Sequence, residues 1–296
     1  MNTGPIFIVG VGRSGTTLIR QMVNSHSKIA IPYESHFITK YISCEKKYGD
    51  LQNDENLSAL LDDILAEPIL ENWDYVPDKQ SLLGKTTSRD IGGGFANFFT
   101  QYANHHGKSI WGDKSDYLHQ MHKIKYLYPN AKFIHIVRDG RDVALSVMKM
   151  SWGPDNIREA ASWWGEHVRL GYSMGRMLNK EQYYEIRYED LVAHPEKYLE
   201  EICQFVGVNF ESTMLEFFKT SKKFIPQSRL NQHYNADKGA DTSRTKAWKR
   251  EMSPLDCEIF QQIAGDVLRE MNYEIAENDV SSLRVKFAKL KMIVFG

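Results

Sequence analysis

The stretch P-I-F-I-V-G-V-G-R-S-G-T-T-L-I-R, residues 5–20, decides how the rest of the chain is read. Residues 6–9 form a short unbroken apolar run, the pattern of a strand buried on both faces, as in a parallel sheet. Gly10, Gly12 and Gly15 then permit a tight turn where a Cβ would clash. From Thr16 the pattern turns helical, with Leu18, Ile19, Met22 and Val23 on an apolar side. A strand, a glycine-rich turn and a helix N-terminus together make an anion site. Backbone N–H groups left over at the helix start point into the turn, and the helix dipole adds to their pull.

The spacing follows the phosphate-loop pattern of glycine, four residues, glycine, lysine, then serine or threonine, with one departure. Gly10 and Gly15 occupy the glycine positions and Thr17 the hydroxyl position, but Thr16 stands where the lysine belongs. A cation stands instead inside the loop, as Arg13. Nucleoside triphosphatases use that lysine on the β- and γ-phosphates and the next hydroxyl on magnesium. A loop with threonine there is expected to hold a less charged group. Taken alone, the glycines are equally consistent with an ordinary tight strand-to-helix turn.

The chain has 296 residues, 42% of them hydrophobic and 25% charged, enough for one large α/β domain spanning residues 1–296. A net charge of −1 gives no reason to expect nucleic-acid binding, so any anion site must be local. Cys44, Cys203 and Cys257 lie far apart without metal-ligand spacing, and reduced thiols in a cytosolic protein are expected. With the first strand starting so soon after Met1, no removable leader is expected. No apolar run approaches the roughly 18 residues of a spanning helix, and a cytoplasmic location follows as the expectation.

Further strands are expected at residues 28–31, 110–114, 132–137 and 183–188. Helical patterns occupy about 37–48, 57–66, 95–104, 116–128, 157–178, 195–206, 211–220 and 254–271, the last opened by Ser253-Pro254. Gly92-Gly93-Gly94 reads as a hinge before a helix, with a ligand loop as the alternative. Residues 221–247 have no clear period and read as a loop ordered on binding. The basic and apolar tail, residues 283–295, reads as a helix docked on its own domain, with contact to an anionic membrane as the alternative. Strands alternating with helices predict a three-layer, phosphate-loop-like α/β fold with a central parallel sheet flanked by helices. In such sheets ligands sit outside the carboxyl ends of the strands, which puts the loops after Val9, Val137 and Tyr188 on one rim, with Lys114 beside them.

A second motif, F-I-H-I-V-R-D-G-R-D-V-A-L-S at residues 133–146, sends Arg138 off the end of a buried strand onto that rim. A guanidinium there suits bidentate phosphate binding, and Ser146 can share the phosphate if the arginine leans over the following helix. A surface Arg/Asp salt-bridge cluster is the competing reading.

Together these two stretches resemble the sulfotransferases that use 3′-phosphoadenosine 5′-phosphosulfate (PAPS) and release 3′-phosphoadenosine 5′-phosphate (PAP). The resemblance runs from Pro5 to about Met271. It implies that Arg13, Ser14, Gly15, Thr16, Thr17 and Leu18 hold the 5′-phosphosulfate, and that Arg138 and Ser146 hold the 3′-phosphate. Tyr188, in Y-E-D-L, is similar to a tyrosine near the nucleotide in relatives. S-R-T-K-A-W-K at residues 243–249 resembles the loop that closes over the cofactor, giving Ser243, Arg244, Trp248 and Lys249 as contacts. Relatives often carry glycine before that tryptophan, where this chain has Ala247.

The missing lysine then has a physical reading. A transferred sulfuryl group carries less charge than a phosphoryl group, so positioning and modest neutralisation replace a magnesium clamp, and no metal is expected. A base is needed for the acceptor hydroxyl. The tyrosylprotein and carbohydrate branches, which this chain resembles most, use a glutamate near the position of Glu34, whereas the cytosolic small-molecule branch uses a histidine. His36 and His135 therefore stay open as alternatives. Lys114, in W-G-D-K-S, resembles the lysine that stabilises the leaving phosphate oxygen, although Ser115-Asp116 replaces the family's threonine-proline. The Golgi-anchored form of some relatives is not expected here. The pairs His105/His106 and His119/His122 lack a carboxylate pattern for zinc.

The acceptor is a hydroxyl on a carbohydrate, lipid, small molecule or tyrosine, its pocket shaped by helical segments at about 37–110 and 151–180. The aromatics there, Trp73, Phe95, Phe98, Phe99, Trp152, Trp163 and Trp164, read as core. Two rivals remain from the residues: a small-molecule kinase on the same fold, against which the absent lysine counts, and a nucleotide-binding protein without catalysis, against which Glu34 and Lys114 count.

Overall fold

In the computed structural model, which describes residues 4–219, 224 and 239–277, the apolar run is the central strand β1 (Ile6–Val9). The other strands are β2 (Ile29–Ala30), β3 (Ile110–Lys114), β4 (Lys132–Val137) and β5 (Tyr183–Arg187). Among the described residues they form a five-stranded sheet in the order β2-β3-β1-β4-β5, with every pair parallel.

Alternation along β1 and β4 divides the interior into two layers, because successive side chains leave opposite faces of a strand. Phe7, Val9, Phe133 and Val137 enter a core built with the helices Asp54–Leu65, Ile91–His105, Ile157–Arg176 and Pro254–Glu270. Ile6, Ile8, Ile134 and Ile136 enter the other, against Ile19, Met22 and Val23 of the helix Thr16–Asn24 and Leu199 and Ile202 of the helix Pro195–Val206. With both faces covered, β1 contains no polar residue. β4 carries the fully buried His135, whose Nδ1 lies 2.6 Å from the Tyr183 hydroxyl.

The expected elements occur with shifts at their ends. Residues 116–128 resolve into a 3₁₀ turn at Leu118–Gln120 and the helix Met121–Leu127. Residues 211–219 form two 3₁₀ turns rather than one helix. The triple glycine is not a hinge before a helix but its first turn: Asp90 caps the helix by accepting from Gly93 N at 2.7 Å. A Cβ on Gly93 would overlap the Ser88 carbonyl, so close approach of the preceding chain accounts for the absent side chain. Ser253 caps the helix Pro254–Glu270 as its sequence implies. The tail at 283–295 and most of the 221–247 loop lie outside the described residues. No helix among the described residues is long and apolar enough to cross a membrane.

The short turn after β4 is tightly filled, since a Cβ on Gly140 would overlap the Trp164 ring and lie 2.6 Å from Phe260. Gly140→Ala is therefore expected to cost about 1–3 kcal/mol. Urea unfolding should show a lowered midpoint at unchanged slope.

Candidate active site

The turn after Val9 is held open from below. Gly15 sits at φ 97°, left-handed, and a Cβ there would lie 2.5 Å from the Tyr188 ring; a Cβ on Gly10 would lie 2.6 Å from the Ile136 carbonyl. Arg13 also has positive φ, 70°, a conformation that costs a non-glycine residue energy unless neighbours fix it. Here they do. Arg138 Nη1 donates to the Arg13 carbonyl at 3.1 Å, and Arg13 Nε donates to Ser146 Oγ at 3.0 Å. No side chain caps the helix Thr16–Asn24 and no acidic residue lies in its first turn, so its leading N–H groups remain available to an anion.

Around this turn lies a cavity of about 280 Å³. Its lining includes Arg13, Gly15, Thr16, Thr17, Leu18, Arg138, Ser146, Tyr188 and Arg244 from the sequence reading. Arg138 stacks on Tyr188, 4.6 Å from the ring centre, and donates Nη2 to the Arg244 carbonyl at 2.8 Å. The guanidinium of Arg13 is pushed below its usual pKa by burial and by the charges of Arg138 and Arg244. Arg13, Arg138 and Arg244 thus bring three cations to the cavity, with Asp142, Asp241 and Glu251 also in its lining. Arg138 Nε and Gln21 Nε2, both on residues lining the cavity, are buried without a hydrogen-bond partner among the described residues.

Other expected contacts stand apart from this lining. Ser14 is buried within the turn. Ser243 is turned to Asp241, and Lys249 to Glu274. Trp248 is a buried anchor: its backbone N–H donates to Asp142 Oδ1 at 2.8 Å, and the Arg141 guanidinium lies 3.5 Å from its ring centre. Arg141 is itself clamped on Asp139 through two bonds of 3.0 and 2.7 Å. The sequence reading missed Gln21, Asp142, Lys149 and Asp241, which also line the cavity.

A second polar group forms where β3 ends. Lys114 pairs in register with Ile8, two residues before the turn begins. Its Nζ is ion-paired with Glu34 Oε1, while His36 Nε2 lies 2.9 Å from Glu34 Oε2. Burial would raise the Glu34 pKa, but the Lys114 charge and the hydrogen bonds from His36 and Lys114 hold it well below the carboxylate range. The segment carrying Glu34 is fastened to β3. Ser115 Oγ accepts from Ser35 N at 3.0 Å and His36 N at 3.1 Å, and Ser35 Oγ and the Tyr117 hydroxyl both bond Asp113. Neither Glu34 nor Lys114 lines the 280 Å³ cavity.

Arg20, overlooked in the sequence, links the two groups. Fully buried on the helix that starts at the turn, it donates to the Ile31 carbonyl at 3.2 Å and the Phe224 carbonyl at 2.8 Å. His135, by contrast, packs beneath the helix Ile157–Arg176, where a Cβ on Gly171 would lie 2.8 Å from its ring. Among the aromatics, Trp73, Phe95, Phe98, Phe99 and Trp164 are core, but Trp152 is 54% exposed. Its ring edge lies 3.2 Å from the position of a Gly12 Cβ, with Trp163 3.7 Å from the same point. Glycine at position 12 leaves room for both indoles beside the turn.

A family model described as "Sulfotransferase family" matches residues 5–212, a span containing β1 to β5, the turn, Glu34, Lys114, Arg138 and Ser146. The chain belongs to the sulfotransferase family. The Drosophila melanogaster protein-tyrosine sulfotransferase is 23% identical over 280 residues, 90% of this chain and 49% of that protein. Protein-tyrosine sulfotransferase 2 of Gallus gallus is 23% identical over 229 residues, 71% of this chain and 53% of that protein. The chain thus spans about half the length of these relatives. Among solved structures, the sulfotransferase domain of the curacin biosynthetic pathway superposes with a TM-score of 0.62 at 22% identity, covering 92% of this chain and 99% of that one. Mouse sulfotransferase SULT7A1, complexed with PAP, superposes with a TM-score of 0.51 at 13% identity, covering 99% of this chain and 90% of that one. These superpositions show the sulfotransferase fold.

Asp142 supplies a test of how dry the rim is. Burial raises its pKa to about 6. An aspartate raised on folding stabilises the protein below its unfolded pKa of about 3.9, and loses that contribution as pH rises through the folded value. Relative to Asp142→Asn, the wild type should lose on the order of 2 kcal/mol between about pH 4 and pH 6. Denaturation of both proteins across that window measures the difference.

Proposed function

We propose that this member of the sulfotransferase family transfers a sulfuryl group from PAPS to a hydroxyl acceptor. The observation that carries the reading is the convergence of Arg13, Arg138 and Arg244 on the cavity at an uncapped helix start. Such a rim matches a ligand with anionic groups at two ends. The amides and hydroxyls of Thr16 and Thr17 would take the 5′ end, and Arg138 and Ser146 the 3′-phosphate. Arg138 Nε and Gln21 Nε2, buried without a partner among the described residues, fit the same ligand. PAPS supplies the activated sulfuryl group.

Glu34 would remove the acceptor proton, and Lys114 would neutralise the phosphate oxygen as it leaves. The ion pair between them supports these roles: it puts a carboxylate and an ammonium together at the end of β3, level with the start of the turn. The segments at 37–110 and 151–180, with Trp152 exposed beside the turn, would shape the acceptor side. The free thiols Cys44, Cys203 and Cys257 fit a reducing compartment such as the cytoplasm.

Calorimetric titration with PAP tests the donor half. Arg138→Ala is expected to weaken PAP about 100-fold, in line with the loss of a charge-assisted bidentate contact. Unchanged affinity would remove Arg138 from the site. Glu34→Gln is expected to bind PAP as the wild type does while sulfuryl transfer falls about 10²–10⁴-fold. Full turnover by that variant would rule Glu34 out as the base.

A further inference from the structure

His36 holds an unusual backbone angle. Its φ is 57°, in the left-handed region that non-glycine residues avoid at a cost of about 1–3 kcal/mol. Two bonds explain how it persists: Ser115 Oγ accepts from both Ser35 N and His36 N, and Ser115 belongs to the segment that ends β3. The effect of the twist is specific. It folds the imidazole back onto the side chain two residues earlier, so that Nε2 meets Glu34 Oε2 at 2.9 Å while the ring remains 48% exposed.

Glu34 has two side-chain partners, Lys114 on Oε1 and His36 on Oε2. Under the proposed chemistry, these two cannot serve alike. As the acceptor oxygen bonds to sulfur, its proton passes to Glu34. The bond from sulfur to the 5′-phosphate oxygen breaks with its electron pair left on that oxygen. Lys114 must follow this developing charge, and to do so it leaves Oε1. That oxygen becomes the acceptor-facing one, and the half-buried carboxylate then needs another donor to keep its rotamer.

We propose that His36 is the positioning residue of the base: its Nε2–H holds Glu34 Oε2 while Lys114 moves to the leaving oxygen and Oε1 faces the acceptor hydroxyl. This rests on the sulfuryl-transfer reading above. The charged groups around the imidazole are Glu34 on its own segment and Asp113 and Lys114 on β3. The bond to Glu34 raises the pKa of His36 above its ordinary 6.5. The protonated ring lowers the basicity of Glu34; the neutral ring, still donating Nε2–H, positions it without that charge. Turnover therefore rises with pH through the His36 titration.

Two measurements test the assignment. In ¹⁵N-imidazole NMR titrations of the full chain, His36 should titrate above pH 6.5 in the wild type and at a lower pH in Glu34→Gln. The second is turnover with PAPS and 4-nitrophenol for two variants. Asparagine tolerates the left-handed angle but is too short to reach Oε2; glutamine reaches it but does not titrate. His36→Asn should lower kcat at least about 10-fold with PAP affinity unchanged. His36→Gln should recover most of kcat and lack the wild-type pH limb. An identical His36 titration in wild type and Glu34→Gln overturns the proposal, as does wild-type kcat with the wild-type pH profile in His36→Asn. A wild-type protein that does not bind PAP would instead strike at the sulfuryl-transfer reading itself.

Discussion

The central strand has no free side. Its four residues are buried on both faces and paired on both edges, with β3 and with β4. Register is strongly fixed under those conditions, because a slip of one residue would exchange the contents of the two cores. Everything placed at the carboxyl edge inherits that fixed height. Lys114 is set by its pairing opposite Ile8, and the exit of Arg138 by the pairing of β4 up to Val9 and His135. The turn between them can then hold Arg13 in a disfavoured backbone angle, since Arg138 and Ser146 grip it from a neighbouring strand and helix.

Electrostatics adds a second layer to this frame. The cavity at the turn gathers Arg13, Arg138 and Arg244, while at the end of β3 Glu34 pairs with Lys114 and His36. The two groups are tied by Arg20, which reaches from the helix after the turn to the backbone just before Glu34. Burying this guanidinium costs desolvation, and with the Ile31 and Phe224 carbonyls and the Tyr33 ring around it its place is as a brace rather than a ligand for the cavity.

Much of this was legible in the chain. The unbroken apolar run at Ile6–Val9 and the mainly apolar one at Lys132–Val137 declared buried parallel strands, and glycines at fixed spacing declared the turn. Arg13, Thr16, Thr17 and Arg138 line one cavity because each follows a strand end or a helix start, where sequence position converts directly into spatial position, and Ser146, late in the helix Gly140–Val147, joins them through its bond from Arg13. What was not legible depends on long-range side-chain geometry. Trp248 carries an aromatic signal but not its partner, and only the fold reveals that it anchors on Asp142 and Arg141. Gln21 and Lys149 are ordinary polar residues with no local signature. The brace role of Arg20 needs the path of residues 31–34, which no periodicity encodes. Gly92 to Gly94 misled because a glycine can mark crowding from outside the helix as well as a bend within it.

The contacts between Glu34 and Lys114, and between Ser35, His36 and Ser115, span about 80 residues of chain, from just past β2 to the end of β3. They close that excursion at its two feet. Whatever the intervening helices do, the feet stay fastened to the sheet. The excursion is therefore a loop closed at its neck, and two of its helices, Asp54–Leu65 and Ile91–His105, roof one face of the sheet. A change of length in its exposed turns would leave the neck, and with it the placing of Glu34 beside Lys114, where it is.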